Sequence, residues 1–128
     1  MIWAMRIQGQ DGLVLRVTDA FLHELLSRVR DPIVKQLDPY RDSILDQSAL
    51  VRWCNELARV KREIRAEVEH RLVRERSLPR DLALREALLR EWVDRDLAAD
   101  EHFKTLIEVE ALVNLVLEAG GVINVFGD

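Results

Sequence analysis

Few side chains in this sequence could carry chemistry, and they are scattered. His23, His70 and His102 are its three histidines and Cys54 is its single cysteine. Glu67 and His70 have the Glu-x-x-His spacing that sets a carboxylate and an imidazole on one helix face, half of the ligand set of a di-iron bundle. Such a centre needs a second copy and further inward-facing carboxylates, and neither occurs with the right spacing. With Arg65, Arg71 and Arg74 around it, the pair reads as charged helix surface. His23 follows Asp19 by four residues, so the two can pair on one helix face. Cys54 lies among Leu50, Val51, Trp53 and Leu57, where a free thiol behaves as a small apolar residue.

Asp94, Asp96, Asp100 and Glu101 crowd the junction between the last two predicted helices, with His102 beside them. Calcium loops need alternating ligands and a glycine at the turn, and this segment lacks that pattern. A turn and a helix N-cap account for the same carboxylates, so no metal and no cofactor are expected. The four acids are instead the candidate partner-binding residues. The sequence has no Gly-x-x-x-x-Gly-Lys phosphate loop and no Gly-x-Ser-x-Gly elbow, and no catalytic residue stands out.

Charge is unevenly distributed behind a net −4. Residues 91–128 carry 2 basic and 9 acidic side chains, whereas residues 52–90 carry 11 basic and 7 acidic. The acidic end disfavours nucleic acid as its partner. In the basic stretch Glu56, Glu63, Glu67, Glu69 and Glu75 interrupt the arginines, which removes most of the field a phosphate backbone requires. Only Lys35, Lys61 and Lys104 of the 19 basic residues are lysine, a bias that fits a GC-rich bacterial coding sequence.

The elements that position these residues follow from periodicity. The 128 residues, 48% apolar and 33% charged, suit a single domain, 1–128, with one sizeable core. Trp3, Met5 and Ile7 alternate with polar or small neighbours, and Leu13, Leu15 and Val17 resume the pattern after Gly9-Gln10-Asp11-Gly12, so residues 3–17 predict a β-hairpin. Val122–Phe126 predicts a third strand that joins the chain ends in one small sheet. Between them Thr18 caps a first helix that Asp31-Pro32 ends or bends, and Asp38-Pro39-Tyr40 marks a loop.

Ser48 precedes a helix reaching about Arg76, some 43 Å long against a compact chain roughly 36 Å across, so it is expected either to kink or to overhang at one end, where it can meet a partner. Its second half carries a narrow stripe (Ile64, Val68, Leu72) and i,i+4 pairs such as Arg65 to Glu69 and Glu67 to Arg71. Pro79 suits the first turn of the next helix, with Leu82, Leu88, Leu89, Trp92 and Val93 as its buried face. The last helix, about 100–119, shows two apolar rows. Leu106, Val109, Val113, Val116 and Leu117 form one, and Phe103, Ile107, Ala111 and Leu115 the other, so it is expected to pack on both sides.

The expected fold class is therefore α+β, mainly α: about four helices in a bundle with a small sheet made of an N-terminal β-hairpin and a C-terminal strand. No apolar run reaches the roughly 20 residues of a membrane span, and Met1–Arg6 has no signal-peptide pattern, so a cytoplasmic address is expected. The functional expectation is a non-enzymatic protein-binding module. Most concretely it is a small bacterial immunity or antitoxin-like protein that neutralises a basic toxin or enzyme by occlusion. One alternative is a structural or regulatory homo-oligomer using the long helix or the second row of the last helix. Another is a small enzyme or ligand-binding domain with a pocket beside Glu110 and Asn114.

Overall fold

The period-two segment at the N-terminus forms a strand because its odd-numbered side chains can be buried together. In the computed structural model, which describes residues 2–12, 14–38 and 40–127, it is β1 (Ile2–Ile7), paired antiparallel with β2 (Leu15–Thr18). The expected hairpin is thus present, although Leu13, assigned by alternation to its second strand, lies outside the described residues. β4 (Ile123–Phe126) takes the other edge of β1, with Met5 opposite Val125 and Ile7 opposite Ile123. The chain ends are joined as the periodicity predicts.

The sheet has four strands rather than three, in the order β2-β1-β4-β3. β3 (Ser43–Leu45) follows the segment read as a loop, of which Pro39 lies outside the described residues. Three residues give no detectable alternation, and it is pairing with the free edge of β4 that makes them a strand. Trp3, Met5, Val17, Leu45, Ile123 and Val125 bury one face of this sheet. No helix covers the other face at Ile44, which is 68% exposed.

Five helices follow from local caps. α1 (Asp19–Arg28) begins where Thr18 accepts the Phe21 N–H at 3.2 Å. Asp31-Pro32 ends it as expected but also starts the one-turn α2 (Pro32–Lys35), since the Asp31 carboxylate accepts the N–H groups of Ile33 and Val34. α3 (Gln47–Glu75) is capped by Asp46 rather than Ser48, and α4 (Leu82–Ala99) by Asp81, so Pro79 precedes that helix instead of entering it. α5 (Glu101–Glu118) is capped by Asp100. Its end is set by Gly120 at φ 69°, a left-handed conformation that lets the Gly121 N–H reach the Val116 carbonyl at 2.9 Å.

The main core lies between the buried sheet face, α1, the first half of α3 and α5. α3 contributes Leu50, Trp53, Leu57 and Val60, and α5 contributes Leu106, Val109, Leu112, Val113 and Val116. The Trp3 and Trp53 rings sit 6.1 Å apart. α3 and α5 run antiparallel, for Gln47 meets Gly121, Cys54 meets Asn114 and Lys61 meets Glu110.

Beyond Ile64, which still packs on its edge, α3 leaves this core. Its one fully buried side chain there is Leu72, which joins Val93 and Leu97 of α4 in a separate small cluster. The α3–α4 hairpin is an arm: of the two alternatives for the long helix, a kink or an overhang, the unbroken α3 takes the overhang. Leu82, expected on the buried face of α4, is 73% exposed at the arm's tip. The apolar residues of α4 are spread around its circumference, so a single partner helix covers only a strip of them. The expected i,i+4 pairs of α3 are largely replaced: Arg65 binds Asp94, Arg71 binds Asp96, and Glu67 binds Arg28 of α1. Arginine reaches far enough for carboxylates across the interface to compete successfully with those one turn away. Arg59 to Glu63 does form, at 2.8 Å.

A buried polar knot fixes the α1–α2 corner on α3. Glu56 accepts the Arg30 N–H at 3.1 Å and an Arg59 N–H at 2.8 Å, while Arg59 also donates to the Arg28 carbonyl. Arg28 grips Glu67 with two hydrogen bonds and Glu63 with a third. Burial alone pushes the Glu56 carboxyl pKa up, but the hydrogen bonds from Arg59 and the Arg30 amide outweigh it and leave the pKa below its ordinary value. Among the described residues no helix is long and apolar enough to cross a membrane.

Two expectations test this packing. Leu57→Ala, at a fully buried position, should cost about 2–5 kcal/mol in denaturant unfolding, whereas Leu82→Ala should change stability by less than about 0.5 kcal/mol; equal effects would contradict the core and the arm as described. Because the folded pKa of Glu56 is depressed, its stabilisation is complete above the ordinary carboxyl value and is lost as pH falls through the folded one. Glu56→Gln should therefore destabilise at neutral pH and flatten the fall of the unfolding midpoint as pH drops below the ordinary carboxyl value. An acid limb as steep as that of the unaltered chain would refute the role of the knot.

Candidate functional site

The four acids singled out by sequence do not form one patch of free charge. Asp94 pairs with Arg65 at 2.7 Å and Asp96 pairs with Arg71. Asp100 accepts the Phe103 N–H at 2.9 Å as the cap of α5, and Glu101 pairs with Lys104 at 3.2 Å. The basic middle of the chain thus neutralises much of its acidic end from within. Among the described residues after 90, Glu108 and Glu118 are exposed carboxylates without an ion-pair partner.

Those two flank a surface that periodicity identified but assigned to the interior. Of the first row of α5, Leu106, Val109, Val113 and Val116 are buried as expected, and Leu117 is half-buried against the core. The second row is not covered: Phe103 is half-buried, Ala111 is exposed, and Ile107 and Leu115 are 40% and 61% exposed. The expectation of two-sided packing fails because the sheet and α3 approach α5 from the same side of its axis, and α4 reaches only its N-terminal half. From Ile107 to Leu115 the free stripe runs about 12 Å.

At its Ile107 end the stripe opens into a groove of about 430 Å³ between α4 and α5. Leu97, Ala98, Phe103 and Ile107 provide its apolar lining, and Arg65, Asp94, Lys104 and Glu108 its charged one. Asp94 therefore belongs to this surface. Asp96 is turned to Arg71, and Asp100 serves the backbone. The groove can receive apolar side chains, while its unpaired Glu108 can meet a cation. A small half-open pocket of about 20 Å³ between α1, α3 and α5, with Phe21, Leu25, Val60, Ile64 and Leu106 at its base and Glu24, Arg28 and His102 also lining it, has room for no more than a water.

The remaining chemical candidates are occupied by structural contacts. The Glu67 carboxylate is held by Arg28, which keeps its pKa below the ordinary range, and His70 is exposed one turn away. His23 pairs with Asp19 at 3.1 Å, as its spacing predicts, and His102 binds Glu24 across the α1–α5 interface. The half-buried Cys54 donates its thiol to the Asn114 side-chain oxygen at 2.9 Å, and Glu110 pairs with Lys61 at 2.7 Å. Glu110 and Asn114 are thus both engaged by α3 rather than turned towards a ligand.

The different duties of the acids are separable. Asp100→Ala should cost about 1 kcal/mol through loss of a helix cap, whereas Asp94→Asn, which breaks a surface pair, should cost less, within about 0–1 kcal/mol. Thermal unfolding of the two variants checks this, and a larger loss from Asp94→Asn would mean that the Arg65 pair holds the arm in place. Compared with protein families, curated proteins and solved structures, the chain matches none of them.

Proposed function

We propose that this chain is a non-enzymatic protein-binding module that docks through the exposed row of α5 and the adjoining α4–α5 groove. One observation carries the reading: Ile107, Ala111 and Leu115 lie uncovered in line, with the unpaired carboxylates Glu108 beside the row and Glu118 one turn beyond its end. A contiguous apolar strip with a charged rim is the form taken by interaction surfaces, in contrast to single exposed side chains. Burying Ile107 and Leu115 offers about 1.5–3 kcal/mol each at most. That does not by itself offset the loss of translational freedom on association, so the groove and its rim belong to the same interface.

The charge of that rim selects a partner with basic residues around an apolar contact. The most concrete form of the proposal is a small bacterial, cytosolic immunity or antitoxin-like protein that covers the substrate cleft of a basic toxin or enzyme. In this reading Asp94, Asp96, Asp100 and Glu101 add long-range steering, weakened by the arginines that already face them. A ligand-binding domain is less favoured, because Glu110 and Asn114 are engaged within the fold.

The test is capture of binding proteins from bacterial cytosol by the full chain and by an Ile107→Glu, Leu115→Glu variant with unchanged helical circular dichroism. The proposal expects a partner retained by the former and lost by the latter. It also expects Glu108→Gln with Glu118→Gln to slow association and reduce its salt dependence. A partner held equally well by both chains would overturn the assignment of the surface.

A further inference from the structure

We infer that the tip of the α3–α4 arm is itself a ligand for the α5 face, so that one copy of this chain docks its arm on the exposed row of a second. The tip, residues 73–85, is another place, besides the α5 face and the surface around Ile33 and Ile44, where the fold leaves large apolar side chains uncovered: Val73, Leu82 and Leu84 are 38%, 73% and 57% exposed. Its charge is opposite to that of the α5 face. Residues 73–85 hold four arginines against Glu75 and Asp81; Arg74, Arg80 and Arg85 make no ion pair among the described residues, and the Asp81 carboxylate is committed to the Leu84 N–H, so the tip keeps a basic surplus. Opposite them on the α5 face stand Glu108 and Glu118. Leucines ringed by arginines on one surface thus match aliphatic side chains ringed by glutamates on the other.

Within one molecule the two surfaces cannot meet. Leu115 lies near the level of Cys54, which Asn114 touches, and Ile107 about one turn beyond the Lys61–Glu110 contact, whereas the tip begins at Val73. Along the uninterrupted α3 the tip therefore stands about 14 Å beyond the Ile107 end of the face and about 29 Å beyond its Leu115 end. Each copy presents one tip and one face, so the contact is heterologous. It closes as a two-fold pair if both contacts form together and otherwise propagates head to tail. An anionic lipid surface could also attract leucines and arginines. The second copy is favoured because the complementary acidic and apolar surface is present on the same chain. The inference takes its docking face from the preceding section but needs no foreign partner; any such partner would compete with the arm for it.

Light scattering of the full chain across micromolar to millimolar concentration should show mass rising with concentration and falling with salt. A tip variant, Leu82→Glu with Leu84→Glu, and a face variant, Ile107→Glu with Leu115→Glu, should each weaken self-association at least about tenfold. Mixing the two should restore a one-to-one pair, because each keeps the half that the other lacks. Arg80→Glu with Arg85→Glu should act like the tip variant, and copies carrying Glu108→Arg and Glu118→Arg should rescue it. A chain that stays monomeric throughout, or a mixture that forms no pair, would overturn the inference. So would a monomeric chain whose tip leucines bind phosphatidylserine vesicles, an outcome that assigns the tip to lipid. If the chain is monomeric while the face variant still loses a foreign partner, this inference falls and the proposed function stands.

Discussion

The apolar seam of α3 is the contact on which the other elements depend. Leu50, Trp53, Leu57 and Val60 lie on one stripe of one helix, and the sheet, α1, α2 and α5 each place side chains against that stripe or its edges. Trp53 meets Trp3 of the central strand, and the antiparallel course of α5 is set by contacts spread from Gln47 to Lys61. A helix can offer only one such stripe to one core. Once the seam is filled, the sheet and α5 are fixed relative to each other, and the side of α5 turned away from the seam has nothing to cover it.

The same helix explains the electrostatics. Past Val60 the apolar stripe narrows, and α3 holds its remaining neighbours chiefly by charge. Arg65 and Arg71 reach α4, Lys61 reaches α5, and Glu63 and Glu67 hold Arg28 of α1. The basic middle and acidic end seen in composition are thus largely the two sides of internal contacts. Exposed ion pairs add little stability individually. Their larger effect is to cancel surface field, leaving Glu108 and Glu118 as free acids beside an apolar strip. The feature suited to a partner is what remains after this internal neutralisation, and for that reason it differs from the acidic cluster most conspicuous in the sequence.

Much of the architecture is legible in local patterns. The strands at the two chain ends, the Thr18 cap, the long helix and the limits of α5 follow from short-range rules of alternation, capping and glycine geometry, which act on neighbours in sequence. Features whose cause is remote are not legible in this way. β3 is a strand only because β4 has a free edge beside it, and Arg65 leaves Glu69 because Asp94 is within reach. Both rows of α5 are equally apolar, so periodicity alone marks both as candidates for burial.

Short-range pattern alone marks the main helices, the strands at both chain ends and an α3 that must either kink or outrun the core, because periods, caps and helix rise are properties of adjacent residues. It takes the folded chain to make β3 a strand and α2 a turn of helix, to settle which row of α5 is buried and which acids keep an unpaired charge, and to carry α3 on unbroken so that Leu82 and Leu84 stand free at the end of an arm. Burial and ion pairing depend on what the rest of the chain brings alongside a residue. A single sequence carries no direct record of those meetings.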